Sequence, residues 1–188
     1  AIKNAGDLHD SYLVDAGSVE PNVAAAATGV VASKGDSAQY EVFLDKYHNP
    51  TTPQEERRYQ SALSAFSGEA EMDRTLAMSL DGTVRTQDAP YLLAVCMRNK
   101  EQGYRAWEFV KSNWDKINKD FPSNSIVRML SGVTSLSKPE QAADVIAFFD
   151  DHEVPQGQLT LQQTLEKLRV NVALRERESG SFSDSLTS

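Results

Sequence analysis

Apolar residues recur three and four positions apart along almost the whole of this 188-residue chain. Such spacing places them on one face of an α-helix, whereas the strict alternation of half-buried β-strands is hard to find. The clearest stripe lies within residues 101–119 and consists of Trp107, Val110, Trp114 and Ile117. It predicts one amphipathic helix there, and counting similar stripes predicts an all-α fold of about ten helices.

The breaks between the stripes contain residues that start helices. Thr52 precedes Pro53 and Glu55, which gives a capping hydroxyl, a first-turn proline and a carboxylate three residues after the cap. Residues 137–140 repeat the arrangement, with Ser137 in the place of the cap. Helices joined by such short turns lie antiparallel, and a run of hairpins stacks in the armadillo or HEAT manner. A compact bundle is the alternative layout.

The chain is predicted to form a single helical-repeat domain over residues 1–178. Residues 179–188 are rich in serine and have little apolar surface, so a flexible tail is expected there. Residues 1–15 have the pattern of a helix already under way, which suggests a piece of a longer chain.

Composition argues against several classes of partner. The net charge is −8, whereas binding to nucleic acid depends on a surplus of Lys and Arg on one face. The longest apolar run, residues 23–32, is far shorter than the roughly 20 residues that cross a bilayer. We therefore expect neither nucleic acid nor membrane as a partner. The single cysteine, Cys96, makes no internal disulfide, which favours a reducing, cytoplasmic location.

Residues suited to catalysis or metal binding are few. His152 and Glu153 begin a sequence similar to the zinc motif HExxH, but Gln156 replaces the second histidine and Pro155 interrupts the helix that the motif needs. Cys96 falls within an apolar stripe, where a buried, inert thiol is expected. Trp107 and Trp114 share the inward face of their predicted helix and are assigned to the core. We therefore predict no catalytic residue and no metal ligand in this chain.

Three arginines are the more informative polar residues. Arg85, Arg98 and Arg128 each lie at or near the end of a predicted helix. There a guanidinium binds an anionic ligand, or it caps helix carbonyls and pairs with nearby acids. The residues alone leave both interpretations open.

The stretch from about residue 36 to residue 177 resembles the C-terminal domain of zinc-dependent aminopeptidases. That family includes puromycin-sensitive aminopeptidase, aminopeptidase N and the endoplasmic reticulum aminopeptidases. The resemblance lies in the order and spacing of six segments: Leu80-Asp81-Gly82-Thr83-Val84-Arg85-Thr86-Gln87-Asp88, Arg98-Asn99, Ala106-Trp107-Glu108-Phe109-Val110-Lys111-Ser112-Asn113-Trp114-Asp115, Ser131-Gly132-Val133-Thr134, Phe148-Phe149 and Asn171.

The resemblance implies a right-handed superhelix of antiparallel helix hairpins that covers a catalytic zinc domain. The zinc would belong to that domain of the parent enzyme, which removes N-terminal residues from peptides, and this chain would hold no cofactor. Its partners would be the catalytic domain of the same parent chain and the peptide, whose distal end it contacts. Positions that match family cavity residues are Arg85 and Gln87 in the V-R-T-Q loop, Arg98, and Arg128 at the start of the I-V-R-M helix.

A hypothesis from another class is a free-standing helical-repeat adaptor that binds a partner protein in its concave face. An independent enzyme has almost no support in the sequence. The leading interpretation is a non-catalytic domain that lines the substrate chamber of an aminopeptidase.

Overall fold

The structure, a computed structural model, describes residues 2–154 and 156–186, and it describes only the backbone from residue 180 onward. Every regular element within these ranges is helical, which confirms the predicted all-α class. The elements are α1 (Ile2–Val14), α2 (Pro21–Lys34), α3 (Ser37–His48), α4 (Pro53–Leu63), α5 (Glu69–Ala77), α6 (Ala89–Cys96), α7 (Gly103–Ser112), α8 (Trp114–Asp120), α9 (Ser123–Met129), the 3-10 helix η1 (Leu130–Ser135), α10 (Pro139–Asp151) and α11 (Gln158–Leu186).

The chain divides into two compact units, Ala1–Ala77 and Met78–Ser188. The single domain over residues 1–178 and the right-handed superhelix stay predictions. So does the flexible tail at residues 179–188: the bounds of α11 extend to Leu186, and residues 187 and 188 lie outside the described ranges.

The first unit packs α1 against α2 and α3 against α4 around aromatic side chains. Phe43 is its centre, with edge-on contacts to Tyr59 and Phe66 at centroid distances of 5.1 and 5.5 Å. This geometry is the favourable one for aromatic pairs. The hydroxyls of Tyr40 and Thr75 lie 2.9 Å apart, so this buried phenol is also hydrogen-bonded. The unit is therefore held together by a specific aromatic core.

The second unit is built around α6, which packs against α9 and η1, while η1 packs against α11. The close approach of η1 to α6 depends on Gly132. A Cβ atom there would lie 2.6 Å from the carbonyl oxygen of Ala94, which is closer than real Cβ atoms come to backbone. Asn171 of α11 donates a hydrogen bond of 2.8 Å to the carbonyl of Thr134. Two residues of the resembling segments thus fix the position of η1.

The prediction of one helix over residues 101–119 is wrong, because Asn113 separates α7 from α8. Asn113 has φ −114° and ψ 17°, and its side-chain amide donates to the carbonyl of Phe109 at 2.8 Å. Asparagine competes with the helical ladder for backbone groups in this way. Trp107 and Trp114 nevertheless lie on opposite sides of the break with 0% and 5% exposure, which confirms that both belong to the core.

The two predicted helix starts have different outcomes. The Thr52 hydroxyl accepts a hydrogen bond of 3.1 Å from the amide of Glu55, so the predicted cap of α4 is confirmed. The predicted cap at Ser137 is wrong, because Lys138 is the N-cap of α10 and makes no side-chain capping bond. Proline favours the first helical position, so the residue directly before Pro139 takes the cap.

Candidate functional site

Arg85 and Gln87 lie in the connection between α5 and α6, and both are exposed. The buried Val84 anchors this connection, and its amide donates to the carbonyl of Met78 at 3.0 Å. The Nε of Arg85 donates to Asp88 Oδ2 at 2.8 Å, although the arginine side chain remains 62% exposed. Ion pairs this exposed contribute little to stability, so Arg85 is not fixed in place by its acid partner.

The exposed surface of α6 is narrow. Its other side chains are largely buried, and the outward positions are Tyr91, Val95 and, in the turn after the helix, Arg98. These three residues, here called the α6 ridge, follow a 3 and 4 spacing, which places them on one side of the helix. Tyr91 is 45% exposed despite its size. Seven residues of helical rise separate Tyr91 from Arg98 by roughly 10 Å.

Arg128 lies beside the α6 ridge, and its Nη1 donates to the hydroxyl of Tyr91 at 3.1 Å. The expected position at a helix start is wrong, since Arg128 is in the last turn of α9. A cation there interacts favourably with the negative end of the helix dipole, so this part of the capping interpretation also applies. The tyrosine contact and the exposure of Arg128 leave its guanidinium at the surface.

A cavity of about 360 Å³ lies at the Arg98 end of the α6 ridge. It is formed by the turn after α6, by η1 and by α11, and the residues that matter for its chemistry are Arg98, Ser131, Thr134, Thr160, Thr164 and Lys167. We call this space the hydroxyl cavity. The Nη2 of Arg98 donates to Ser131 Oγ at 2.9 Å. Two cations and four hydroxyls with no carboxylate among the described lining residues make the cavity suitable for an anion.

The structure therefore places all four predicted site residues at or beside α6, and of the four, Arg98 lines the hydroxyl cavity. Sequence reasoning missed Tyr91, Ser131 and Lys167. Tyr91 had a signal, since a tyrosine outside the apolar positions of a helix is exposed and polar at its tip. Ser131 lies in one of the resembling segments, but its contact with Arg98 had no signal, and Lys167 had none at all, because these residues come from different elements.

Asp144 of α10 is the centre of a hydrogen-bonded cluster in the second unit. Its carboxylate accepts hydrogen bonds from Trp107 Nε1 at 2.7 Å, Lys111 Nζ at 2.7 Å and Tyr104 Oη at 3.3 Å. Burial opposes ionisation of this group, but the bonds from Lys111 and Trp107 outweigh it and hold the pKa of Asp144 below its ordinary value. The cluster joins α7 to α10 and is structural, since Trp107, Lys111 and Tyr104 all donate to one carboxylate within the chain.

The zinc-like segment at His152 has another role. His152 follows the end of α10, its ring stacks on Phe148 with centroids 3.9 Å apart, and its Nδ1 lies 2.8 Å from the Phe148 carbonyl oxygen. Pro155 lies outside the described residues. Within the ranges that the structure covers, no three His, Cys, Asp or Glu side chains are grouped as metal ligands would be.

Cys96 is fully buried, and burial raises the pKa of its thiol to about 12. A thiol of this kind is a poor nucleophile, in agreement with the expected inert role. None of the described helices is both long enough and apolar enough to span a bilayer.

Comparisons with known proteins agree on one family. The family described as ERAP1-like C-terminal domain matches residues 1–170. The chain is 32% identical to the alanine/arginine aminopeptidase of Saccharomyces cerevisiae over 151 residues, which is 77% of this chain and 17% of that protein.

Two further relatives extend the match. Aminopeptidase M1-B of Oryza sativa subsp. japonica is 31% identical over 137 residues, 71% of this chain and 15% of that protein. Endoplasmic reticulum aminopeptidase 2 of Bos taurus is 28% identical over 183 residues, 94% of this chain and 19% of that protein. The chain spans about a fifth or less of the length of these relatives.

Proposed function

This chain belongs to the ERAP1-like C-terminal domain family, and from that premise we propose that it is the non-catalytic C-terminal domain of a zinc metallo-aminopeptidase. Membership of this family confirms the resemblance drawn from the sequence. In this role it covers the catalytic domain, lines the substrate chamber and binds the distal end of the peptide. The parent enzyme removes N-terminal residues from peptides. The relatives support this proposal, since they are named as aminopeptidases and are several times longer than this chain.

The observation that carries the proposed peptide contact is the position of Arg98 at the hydroxyl cavity. One Nη of its guanidinium is bonded to Ser131, a neutral acceptor. A guanidinium has five N–H donors, so others remain for a ligand. A carboxylate accepts two parallel bonds from such a fork, and the neighbouring hydroxyl of Thr160 supplies a further donor. A peptide's terminal carboxylate is the ligand that fits this set.

The other predicted residues extend the same surface along α6. Arg128 and Tyr91 form a polar pair at the end of the ridge opposite to Arg98. Arg85 and Gln87 precede the helix. We propose that these side chains contact the peptide upstream of its terminal carboxylate. An extended peptide advances about 3.3 Å per residue, so the roughly 10 Å of the ridge corresponds to about three residues.

The zinc of the parent enzyme is proposed to lie in its catalytic domain. The three histidines do not fit it: His9 is buried beside Thr28, His152 is stacked on Phe148, and none of the three belongs to a group of possible metal ligands among the described residues. When bound in the parent enzyme, zinc would activate the water that cleaves the peptide. The residues of this chain would act on that reaction through binding and orientation of the substrate.

Substitution of Arg98 by Ala in the full-length enzyme tests the proposed role. Cleavage of a peptide of about ten residues should fall by roughly tenfold in kcat/KM, the scale of one lost charge-assisted hydrogen bond. A single-residue reporter lacks the distant carboxylate, so its cleavage should change by less than about twofold.

Arg57→Ala is the matched control, because Arg57 is an exposed arginine of the first unit. It should leave both substrates unaffected. Equal losses with peptide and reporter in the Arg98 variant would contradict a contact with the peptide's distal end. A coding region upstream of residue 1 that lacks HExxH would instead favour the adaptor hypothesis.

We propose a cytoplasmic location for the parent enzyme on the strength of the single, buried Cys96. Some relatives are named as endoplasmic reticulum aminopeptidases, so the proposed location of this protein differs from the one in their names. Fractionation of the source cells, with an antibody against this chain, would give signal in the cytosolic fraction. Signal in sealed, protease-protected vesicles would refute it.

A further inference from the structure

A second cavity also contacts Arg98, and its lining has more charged residues than that of the hydroxyl cavity. Its volume is about 270 Å³, and it lies between the turn after α6, the end of η1, the start of α10 and α11. The charged residues that line it are Arg98, Lys100, Glu101, Lys138 and Arg175. We call this space the basic cavity.

The basic cavity is positively charged, whereas the chain as a whole is negatively charged. Four cations and one carboxylate line it, whereas the whole chain has 19 basic and 27 acidic residues. The carboxylate of Glu101 is already paired with Lys100, at 3.8 Å. Among the residues that the structure describes, no carboxylate lies within ion-pair distance of Arg98, Lys138 or Arg175. The cavity therefore holds an excess of three positive charges over its one carboxylate.

The chemistry of these side chains defines the ligand. Lysine and arginine donate hydrogen bonds and accept none, so the cavity is complementary to a group rich in acceptor oxygens. Like charges held together repel one another, and an anion with two or more charges relieves that repulsion better than a single carboxylate does. The volume is below the range usual for drug-sized ligands, which limits the ligand to a small molecule.

We propose that the basic cavity is a binding site for a small, multiply charged anion that bears phosphate or several carboxylates. Arg98 lines both cavities. If the proposed peptide contact is correct, the anion and the peptide carboxylate compete for this guanidinium, and the anion regulates peptide binding. The binding site itself is independent of that function.

Titration of the 188-residue chain with inorganic phosphate, citrate and acetate tests the site. The titrations are followed by amide NMR shifts at constant ionic strength, because exposed charges are screened by salt. Phosphate and citrate should produce saturable shifts at residues 98–101 and 135–141, and the tighter of the two identifies the preferred group. Acetate should bind at least about tenfold more weakly. Acetate binding as tight as citrate would overturn the requirement for multiple charges.

Two variants locate the site. Lys138→Gln combined with Arg175→Gln should weaken phosphate and citrate binding by at least about tenfold, the scale of one charge-assisted hydrogen bond. Lys3→Gln combined with Lys34→Gln, both in the first unit, is the charge-matched control and should change it by less than about twofold. All four side chains are exposed, and circular dichroism verifies that each variant is folded. Equal weakening in all variants, or no saturable shift with any anion, would overturn the proposal.

Discussion

His9 is buried in the first unit with an incomplete set of hydrogen bonds. It is 2% exposed, and its ring lies against Phe43 at a centroid distance of 5.3 Å. The Thr28 hydroxyl donates its proton to the Ala24 carbonyl at 2.7 Å, which leaves its oxygen to accept from His9 Nδ1 at 3.2 Å. His9 Nε2 has no partner among the described residues. A neutral imidazole tolerates this arrangement, but a protonated one would bury an unpaired N–H.

The charges around His9 decide its titration. Burial is the largest effect and lowers the pKa of His9 below its ordinary value of 6.5, Asp10 opposes this shift, and Arg58 and Lys46 add to it. The unfolded chain therefore binds a proton at His9 more readily than the folded chain does. The resulting stability is complete above about pH 6.5 and is lost as the pH falls toward the folded-state pKa.

We expect the free energy of unfolding of the first unit to fall between pH 7 and pH 5.5 by up to about 1 kcal/mol. The window stays above the pH at which Glu55 and Asp144, whose pKa values are lowered, begin to lose their contributions. His9→Gln removes the titrating group and should flatten this slope. Urea unfolding followed by circular dichroism at several pH values measures it.

Exposed His48 provides the control for the pH experiment. His48→Gln should keep the slope of the unchanged chain, because this substitution leaves His9 and its surroundings intact. A slope that persists in the His9→Gln variant would show that another group is responsible.

At the scale of elements, the contact between η1 and α6 depends on the missing side chain of Gly132. Gly132→Ala should lower the free energy of unfolding by about 1–3 kcal/mol, because the new Cβ would press on the Ala94 carbonyl and separate the two elements. Ser131 and Thr134 are in η1, so the hydroxyl cavity should be distorted as well. Denaturant unfolding followed by tryptophan fluorescence measures the loss.

Gly29→Ala, within α2, is the control for glycine substitution. No atom lies within 4 Å of a Cβ built there, so the variant should gain about 0.5–1 kcal/mol from helix propensity, measured by denaturant unfolding followed by circular dichroism. A neutral result for Gly132→Ala would mean that η1 and α6 separate without cost, against the close packing described here.

Local features of the fold were predictable from the sequence, and contacts between distant elements were not. The cap at Thr52 and the burial of Trp107 depend on residues within one or two helical turns, so spacing rules found them. The predicted cap at Ser137 was wrong because two local preferences competed: serine favours the cap position, and proline favours the first helical position. The position of Pro139 decided where the helix begins. The bond from Arg98 to Ser131 joins residues 33 positions apart. No periodicity relates such positions, so the cavity required the structure.

At the scale of the whole molecule, the excess of acidic residues disfavours large anionic partners such as nucleic acid and leaves small anions as the expected ligands. With a net charge of −8, the chain should repel a duplex, and a cavity of about 270 Å³ is too small to admit one. We expect no saturable binding to labelled double-stranded DNA below about 100 µM at physiological salt. Fluorescence anisotropy measures this. Micromolar binding that weakens with added salt would contradict the prediction and indicate an extended basic face.

The aromatic cluster of the second unit has a practical consequence for every stability measurement. Trp107 and Trp114, the two tryptophans of the chain, both contact Phe148 and Phe149, with centroids 5.3 to 5.8 Å apart. Indole emission therefore reports on the second unit alone, and the first unit contains only the dimmer tyrosines. An unfolding curve by fluorescence would miss an acid-weakened α1–α2 hairpin entirely. Comparison of the fluorescence curve with the dichroism curve separates the two halves of the chain without a label.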